Sequence, residues 1–443
     1  MRKSLCVWIA ISLSVWCGVS SYAQHRMTLE QMYALADSLN ATIKASDYSV
    51  QEAEGGVDVA RNALLPSIQA SASVSLNGFG YSMDRNFTNA VDEQLPLWGN
   101  NIELQVSQVV FAGGAIRNGI EAAELGAQLA SVQARSNRQE VRYLIAGTSL
   151  EIAKIENQIK VIDANIELAG KLLEQVRNLH AEGVVLRNDI TRIELLSQEL
   201  AHTRVSLVSA RDIMCSKLAM TLGLDVTESV EPVLDLDSST PDEGAARWLD
   251  AAESSSSAIQ GAQLATQLKN AELQIAKAER LPSIALFAGD TFNGPDVTTF
   301  IAGKMAGYGL LDKNFNFATV GVGITYNLDS IYKSGKKIRR SEAALRKSQE
   351  DLRGARQGIS LAVNAAYIEY HNSFTQLDIK TKALELASDS YEMIESRYGS
   401  GLATMTDLLE ASSQKLQAEL AQVNARMDVL ANHYKLLYVS GTI

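Results

Sequence analysis

The chain has little proline. Its 443 residues include six prolines, none of them between Pro96 and Pro232 or after Pro295. Because proline breaks helices, these two stretches allow unusually long ones. Apolar residues recur at spacings of three, four and seven from Gly113 to about Leu179, which predicts a helix on the order of 100 Å long. The second stretch predicts a similar helix at about 336–397, and helices of this length are typical of coiled coils.

Cysteine and histidine are also scarce, with three and five residues respectively. Cys215 is the one cysteine outside the first 23 residues, so a disulfide within the mature chain is excluded and a small, packed helical residue is expected there. The histidines are scattered without metal-ligand spacing, and no GxSxG, phosphate-loop or HExxH motif occurs. The sequence therefore predicts no enzyme, no cofactor and no metal site.

Long apolar runs are absent beyond the N-terminus. Residues 1–23 are predicted to be a secretory signal peptide, with Arg2 and Lys3 before an apolar stretch of 15 residues that ends at Val19. This stretch is too short to span a bilayer comfortably. Cys17 leaves a lipid anchor open as an alternative, which the bulky Trp16 before it disfavours.

Positive charge is in deficit. Loss of the signal peptide removes two cations and no acids, so the net charge of −11 becomes −13. This acidic balance argues against nucleic acid as a partner. No run of 18 or more apolar residues follows the signal, so the exported chain could enter a membrane only as strands.

The sequence contains an internal repeat, in which the same series of motifs recurs roughly 218 residues later. We expect repeat 1 at 24–224, a polar linker at 225–243 and repeat 2 at 244–443. The matching features are Leu65-Pro66-Ser67 with Leu281-Pro282-Ser283, Gly183 and Asp189 with Gly401 and Asp407, and Gly223 with Gly441.

Each repeat is predicted to contain a helical hairpin and shorter helices. The long helices end at polar turns, His180–Arg187 and Tyr398–Thr404, and return helices run to about Leu222 and Tyr438. Short helices are expected at about 42–64 and 256–281, before each Leu-Pro-Ser. Thr28 to Gln31 is a capping box that predicts a further helix start.

Four segments alternate between apolar and polar residues, as strands do. They lie at about 67–77, 101–111, 283–291 and 316–328, and the third alternates poorly because Phe287 interrupts it. Their length of about 9–12 residues suits tilted membrane strands. Alternation by itself equally fits a soluble antiparallel sheet with one wet face. Export, a small neutral polar face and the long connections at 78–100 and 292–314 favour the membrane.

Four strands are too few to close a transmembrane barrel, which needs about eight. An open sheet edge is not tolerated in lipid, so membrane strands would require several copies to share one barrel. The predicted fold class is therefore an α+β membrane protein whose strands join those of other copies.

These features together resemble the TolC-like outer-membrane efflux family, the outer membrane factors of tripartite efflux and type I secretion systems. The resemblance covers essentially the whole mature chain. It is carried by the duplication, by Leu-Pro-Ser before the first strand of each half, by Phe111-Ala112-Gly113-Gly114 after the second strand, and by the stretch from Tyr398 to Glu410.

The resemblance implies a homotrimer, in which three copies supply a 12-stranded outer-membrane β-barrel, continuous with a periplasmic α-helical coiled-coil barrel. It implies that the turns at Gly183 and Gly401 form the periplasmic tip. There the family docks a periplasmic adaptor protein, which links it to an inner-membrane pump. Pro66 and Pro282 are expected at the turns that enter the strands.

The resemblance also implies an aperture at the tip, with Asp189, Tyr398, Asp407 and Glu410 at positions used in closure. The family's lock includes a basic residue two positions after the second glycine, where this chain has Ala403; Arg187 or Arg397 are candidate substitutes. For each acid, a simple role at a helix N-terminus is the competing interpretation.

The implied function is a passive outer-membrane exit duct of an efflux pump. Alternatives are the exit duct of a type I protein secretion system, or a periplasmic coiled-coil scaffold or adhesin without a pore. A pump would choose the exported substrate, so this sequence does not identify drugs, metals or proteins as cargo.

Overall fold

A computed structural model describes residues 25–76, 78, 80–88, 90–93, 98–228, 230–234, 244–294 and 315–443. The expected signal peptide, with Cys17, lies outside these residues. So do 235–243 of the expected linker and 295–314 of the second expected loop. In the described part of the chain, no helix is both long and apolar enough to cross a membrane.

The long helices agree closely with the proline-free stretches. The helices are α1 (Leu29–Leu39), α2 (Ala41–Arg61), α3 (Ala115–Ala181), α4 (Arg187–Leu222), α5 (Ala245–Ser255), α6 (Ser257–Ala278), α7 (Ser330–Gly399) and α8 (Met405–Ser440). A short 3-10 helix at Asn62–Leu64 follows α2. The largest difference from expectation is the start of α7, which lies six residues before position 336.

The strands are β1 (His25–Thr28), β2 (Ser67–Leu76), β3 (Gly80–Ser82), β4 (Val91–Glu93), β5 (Trp98–Phe111), β6 (Val230–Val233), β7 (Ser283–Asn293) and β8 (Phe315–Thr325). The strand β8 ends before position 328 because its neighbour begins at Ser283, which pairs with Thr325. Residues beyond Thr325 have no partner in that ladder and turn into α7. The segment expected to be one long loop after β2 includes a small hairpin, β3 with β4.

Four strands form one antiparallel sheet in the order β2-β5-β7-β8. Because successive residues point to opposite faces, the sheet has a polar face and an apolar face. Ser67, Gln69 and Ser71 on β2 lie opposite Ser107, Gln105 and Glu103 on β5, which places them on the polar face. The apolar face is exposed along the edge strands, with Ile68 at 70%, Val74 at 73%, Val320 at 86% and Ile324 at 70%.

Phe287, which interrupts the alternation of β7, has a structural explanation. Its register partner on β8 is Gly321. A Cβ atom at Gly321 would lie 2.6 Å from the ring of Phe287, so the ring occupies the space that a side chain on β8 would fill. The aromatic residue on the polar face and the glycine beside it are therefore one feature.

The chain divides into two compact units, and each draws on both halves of the sequence. Unit 1 contains the residues up to Lys44, Arg138–Trp248 and Val363–Ile443; unit 2 contains Ala45–Asn137 and Leu249–Ala362. The four-stranded sheet belongs to unit 2 and the helix-hairpin turns belong to unit 1.

One core of unit 1 lies where α1, α3 and α4 meet. Met32 and Ile145 are fully buried there, and the capping box at Thr28 starts α1 beside it. Cys215 packs half-buried against this cluster, and burial raises the pKa of its thiol. Part of the expected linker is packed as well, because Val230–Val233 forms the strand β6 parallel to β1.

Candidate functional site at the helix-hairpin turns

Both helical hairpins reverse through the same backbone motif. The Gly183 N–H donates to the His180 carbonyl at 2.9 Å and the Val184 N–H donates to the Leu179 carbonyl at 2.9 Å. The second hairpin has the same two bonds. The Gly401 N–H donates to the Tyr398 carbonyl at 2.9 Å and the Leu402 N–H donates to the Arg397 carbonyl at 2.8 Å. These are the two hydrogen bonds of a Schellman motif, which satisfy carbonyls at the end of a helix.

Glycine is required at both turns by backbone conformation rather than by space. The φ angles are +80° at Gly183 and +73° at Gly401, a region that other residues enter at a cost of about 1–2 kcal/mol. A Cβ atom at either position would meet no atom within 4 Å. A side chain added there would therefore project from the turn into open space.

The return helices begin with matching acidic caps. Asp407 Oδ2 accepts from the Thr404 N–H at 2.8 Å and from the Thr404 hydroxyl at 2.7 Å, and the Thr404 hydroxyl accepts from the Asp407 N–H at 3.2 Å. In the first hairpin, Asp189 Oδ2 accepts from the Leu186 N–H at 3.3 Å. The pattern at Thr404 and Asp407 is a reciprocal capping box, in which Asp takes the position that Glu or Gln more usually occupies.

These contacts fix the charge of Asp407. The hydrogen bonds from the Thr404 hydroxyl and backbone N–H, with a smaller contribution from the charge of Arg397, lower the pKa of the Asp407 carboxyl. A lowered pKa means that the cap stabilises the fold above the ordinary carboxyl pKa of about 4, and that this stabilisation is lost as the pH falls below it. Asp407 therefore carries its charge throughout the neutral and mildly acidic range.

Tyr398 lies just before the second turn, partly buried against the apolar cluster beneath it. Burial raises the pKa of its hydroxyl, and the nearby charge of Asp189 raises it further. Within the described residues the Tyr398 hydroxyl is buried and has no hydrogen-bond partner. The structure thus brings Tyr398 and Asp189, one from each hairpin, into electrostatic contact.

A shared core holds the two hairpins together. Its buried members come from α3, α4, α7 and α8: Leu172, Val176, Ile193, Tyr391, Met405, Leu408 and Ala411. Arg192 on α4 donates to the Thr406 hydroxyl on α8 at 2.5 Å. Sequence reasoning missed both Arg192 and Thr404, although the spacing of Thr404 and Asp407 is that of a helix cap.

The remaining predicted residues are placed differently. Glu410 is exposed, and its carboxylate accepts a 3.4 Å hydrogen bond from Gln414. Ala403 is half-buried, and Arg187 is exposed at the first position of α4. Pro66 and Pro282, expected at the entries to the strands, lie directly before β2 and β7 in unit 2.

The surface of the turn region combines polar and apolar groups. It presents two glycine turns and capped acidic side chains above an apolar core. Among the described residues, no group of His, Cys, Asp or Glu has the arrangement of a metal site. The turns offer hydrogen bonding, charge and the exposed apolar side chains of Val184, Leu186 and Leu402.

Comparisons with known proteins agree with this architecture. The family model described as "Outer membrane efflux protein" matches residues 32–211 and 248–442. The chain is similar to "Outer membrane protein TolC" of Escherichia coli (strain K12), with 22% identity over 100% of this chain and 87% of that protein. It is also similar to "Outer membrane efflux protein BepC" of Brucella suis biovar 1, with 22% identity over 91% of this chain and 82% of that protein. Among solved structures, the outer membrane protein VceC of Vibrio cholerae superposes with a TM-score of 0.77 at 16% identity, over 93% of this chain and 96% of VceC.

Proposed function

Because this chain belongs to the outer membrane efflux protein family, we propose that it is the outer-membrane exit duct of a tripartite efflux pump and works as a homotrimer. The chain is an outer-membrane protein of a channel family and not an enzyme. The proposal concerns its assembly, its docking partners and the role of its hairpin turns.

The observation that carries the proposal is the four-stranded sheet. Its apolar face is exposed, with Val322 at 63% and Leu76 at 66%, as expected of strands that face lipid. Within the described residues, β2 and β8 each pair on one side, so the sheet has two open edges. Open edges in lipid leave backbone groups unsatisfied, and three copies joined edge to edge would close a 12-stranded barrel.

The helices of unit 1 support the same assembly. Apolar side chains remain exposed along one face of α4 and along one face of α7. They are Leu195, Val205, Ile213 and Met220 on α4, and Ile368, Ile379, Leu386 and Met393 on α7, each more than half exposed. Stripes at helical spacing are typical of coiled-coil seams, which neighbouring copies would cover.

The hairpin turns are the proposed docking end. Gly183 and Gly401 have no side chain, so a partner can approach the backbone closely at these two positions. The apolar side chains of Val184, Leu186 and Leu402 beside them are 67%, 73% and 70% exposed. The proposed partner is a periplasmic adaptor protein that links the duct to an inner-membrane pump. Tyr398, Asp189, Asp407 and Glu410 are the proposed aperture residues, and the unpartnered Tyr398 hydroxyl is suited to donate a hydrogen bond when the aperture closes.

The assembly proposal is tested by membrane fractionation followed by gel electrophoresis without and with heating. We expect the protein in the outer-membrane fraction, as a trimer band that boiling converts to a monomer. Purified trimers should conduct ions in a planar bilayer. A soluble monomer would contradict the duct and support a scaffold without a pore.

Asp407 provides a test of the aperture. Three copies of Asp407 in a narrow ring would attract cations, so Asp407→Asn should lower the cation selectivity of single channels. Since the pKa of Asp407 is lowered, the difference from wild type should persist from pH 7 down to about pH 4 and vanish below it.

The matched control is Asp225→Asn. The Asp225 carboxyl is also exposed, and hydrogen bonds from the Thr227 hydroxyl and N–H lower its pKa in the same way, but it lies after α4 rather than at a turn. This control should leave selectivity unchanged. If Asp407→Asn combined with Glu410→Gln also leaves conductance and selectivity unchanged at every pH, the chain has no acidic ring.

A further inference from the structure

The sheet order determines which helices stand at the two sides of unit 2. Helix α2 leads into the edge strand β2, and helix α7 leaves the other edge strand, β8. Between them, α2 packs on α3, where Arg61 Nη2 lies 2.8 Å from Glu124 Oε1. Helix α3 packs on α6 through Arg135 and Gln260. The helices thus follow the strand order as α2-α3-α6-α7.

Helix α7 packs on α6 with one face and leaves the opposite face bare. The packed face contains Ile338 and Ser348, which is hydrogen-bonded to Thr266 at 3.0 Å. The opposite face contains Lys336, Arg340, Ala343 and Lys347, spaced four, three and four residues apart as on one side of a helix. In α2, the face opposite the buried Val57 contains Tyr48, Glu52, Gly55 and Val59 with the same spacing, and Tyr48 and Val59 are 68% and 69% exposed.

The two bare faces carry opposite charge. The first 18 residues of α7, 330–347, contain seven cations and one acid, a net charge of +6. Helix α2 contains four acids and two cations, a net charge of −2, with Asp58 at the edge of the bare face. No ion pair is recorded for Lys336, Arg340 or Glu52 within the described residues, and all three side chains are exposed.

The helix dipoles do not explain this distribution. A helix N-terminus favours acids and a helix C-terminus favours cations. Lys333 stands in the first turn of α7, Lys336 and Arg340 follow closely, and Asp58 stands in the last turn of α2. Helix α7 therefore carries the less favoured sign near the end that adjoins the sheet. The last turn of α2 contains both Asp58 and the favoured Arg61, whose charged groups lie 3.8 Å apart.

We infer that these two faces form a charged seam between subunits, in which the start of α7 in one copy packs on α2 of the next. This inference rests on the proposed trimer, and it specifies which helices of neighbouring copies touch next to the strands. A ring of copies joins β8 of one to β2 of the next, and the alternating directions make this junction antiparallel. Within one chain the two edge strands are about three strand spacings, or 14 Å, apart, so their bare faces point to different neighbours.

The heights of the charged residues along the two helices overlap. At about 1.5 Å per residue, Lys336 and Arg340 lie about 9 and 15 Å from the start of α7. Asp58 and Glu52 lie about 5 and 14 Å from the end of α2. Cations and acids of neighbouring copies would therefore meet within the first three turns beside the sheet.

The test is a pair of charge reversals and their combination. Lys336→Glu with Arg340→Glu reverses the basic face, and Glu52→Lys with Asp58→Lys reverses the acidic face. We expect each pair to lower the temperature at which the detergent-solubilised trimer dissociates by about 5–10 °C, and the combination of all four to restore most of this loss. The basic-face reversal suits the dipole of α7 better than the native residues do. Asp58→Lys also removes the pair of Asp58 with Arg61 within α2, so recovery in the fourfold variant, rather than either loss alone, is the result that identifies the seam.

The matched control is Arg117→Glu with Lys277→Glu. It changes the net charge as much as the basic-face reversal does, but on α3 and α6, whose neighbours belong to the same chain. It should shift the dissociation temperature little. The inferred seam is contradicted if the single-face reversals shift the dissociation temperature no more than this control does. It is also contradicted if the fourfold variant loses as much as the sum of the two single-face losses. A wild-type chain without any trimer would instead contradict the proposed function.

Cross-linking tests the location directly. In a Cys215→Ser background, Glu52→Cys is combined in turn with Lys336→Cys, Arg340→Cys and Ala343→Cys. At least one pair should give oxidised dimers and trimers that reductant separates, and no cross-link from any of the three contradicts the seam. Phosphatidylglycerol added to the detergent tests the alternative that the basic face of α7 binds an anionic lipid instead of a neighbouring copy. If the basic-face reversal acts only with this lipid present and the acidic-face reversal has no effect, the cations bind lipid phosphate and the inference fails.

Discussion

Replacement of Gly401 by tryptophan is expected to abolish adaptor-dependent export while trimers accumulate normally in the outer membrane. A Cβ atom at this position would meet nothing within 4 Å, so the indole would project from the turn instead of disturbing the core beneath it. Three copies would place three indoles on the proposed docking surface. A misfit that costs about 1.4 kcal/mol lowers affinity about tenfold, and a buried bulky side chain at a packed contact costs more than that.

The control for Gly401→Trp is Gly401→Ala. Both variants force a residue with a Cβ atom into the φ of +73°, so they share a backbone cost of about 1–2 kcal/mol. Only the tryptophan adds bulk to the surface. The measurement is the susceptibility of an efflux-deficient strain to exported compounds after complementation, with trimer level checked on unheated gels.

Gly183→Trp and Gly183→Ala repeat the comparison in the first hairpin, where the turn geometry is the same. If Gly401→Trp exports as well as Gly401→Ala at equal trimer level, the second turn is not a docking surface. If both tryptophan variants lose trimers, the turns act in folding, and export is then measured with Gly401→Asn, since asparagine tolerates this backbone conformation.

Local rules of sequence account for much of the fold. The absence of proline and the helical spacing of apolar residues place α3 and α4 within about three residues of their limits, because long helices depend mainly on contacts close in sequence. Gly183 and Gly401 are found for the same reason, since a helix that ends in a left-handed residue selects glycine. The spacing of Thr404 and Asp407 is also a local signal of a helix cap, in line with the helix N-terminal role that the sequence offers for Asp407 as an alternative to gating.

Features that depend on distant contacts could not be derived in this way. The role of Phe287 follows only from its register with Gly321 on another strand. The pairing of β1 with β6 joins residues about 200 positions apart, and short segments such as Val230–Val233 give no clear periodicity. The link between Arg192 and Thr406 likewise needs both hairpins in place.

The second large effect is expected at Gly223, which ends α4 with the same backbone motif as Gly183 and Gly401. Its φ is +82°, and the Gly223 and Leu224 N–H groups donate to Met220 and Ala219 at 3.1 and 2.9 Å. The difference lies in its surroundings. A Cβ atom here would lie 2.7 Å from the carbonyl carbon and oxygen of Leu39, which are backbone atoms and cannot swing aside.

The contact at Gly223 closes a corner of unit 1. Asn40, between α1 and α2, donates from Nδ2 to the Thr221 carbonyl at 2.7 Å, and its Oδ1 accepts from the Thr42 and Ile43 N–H groups at 2.8 and 3.0 Å. Leu222 is fully buried in the core beside this corner. A methyl group at position 223 would push α4 away from Leu39 and strain these bonds together.

Gly223→Ala should therefore destabilise the protein by about 2–5 kcal/mol, the sum of a left-handed alanine and an overpacked contact, whereas Gly183→Ala should cost only the first part, about 1–2 kcal/mol. The two variants make the same chemical change in the same motif, so their difference isolates the approach of Leu39. The measurement is the temperature at which detergent-solubilised trimers dissociate, together with the amount of protein in the outer membrane. Equal losses of stability would mean that the Leu39 backbone moves to accommodate the methyl group, and that glycine is needed at position 223 only for its φ angle. A much larger loss at Gly223 would mean that the junction of α4 with the start of α2 fixes the fold, whereas the turn at Gly183 is free to serve a partner.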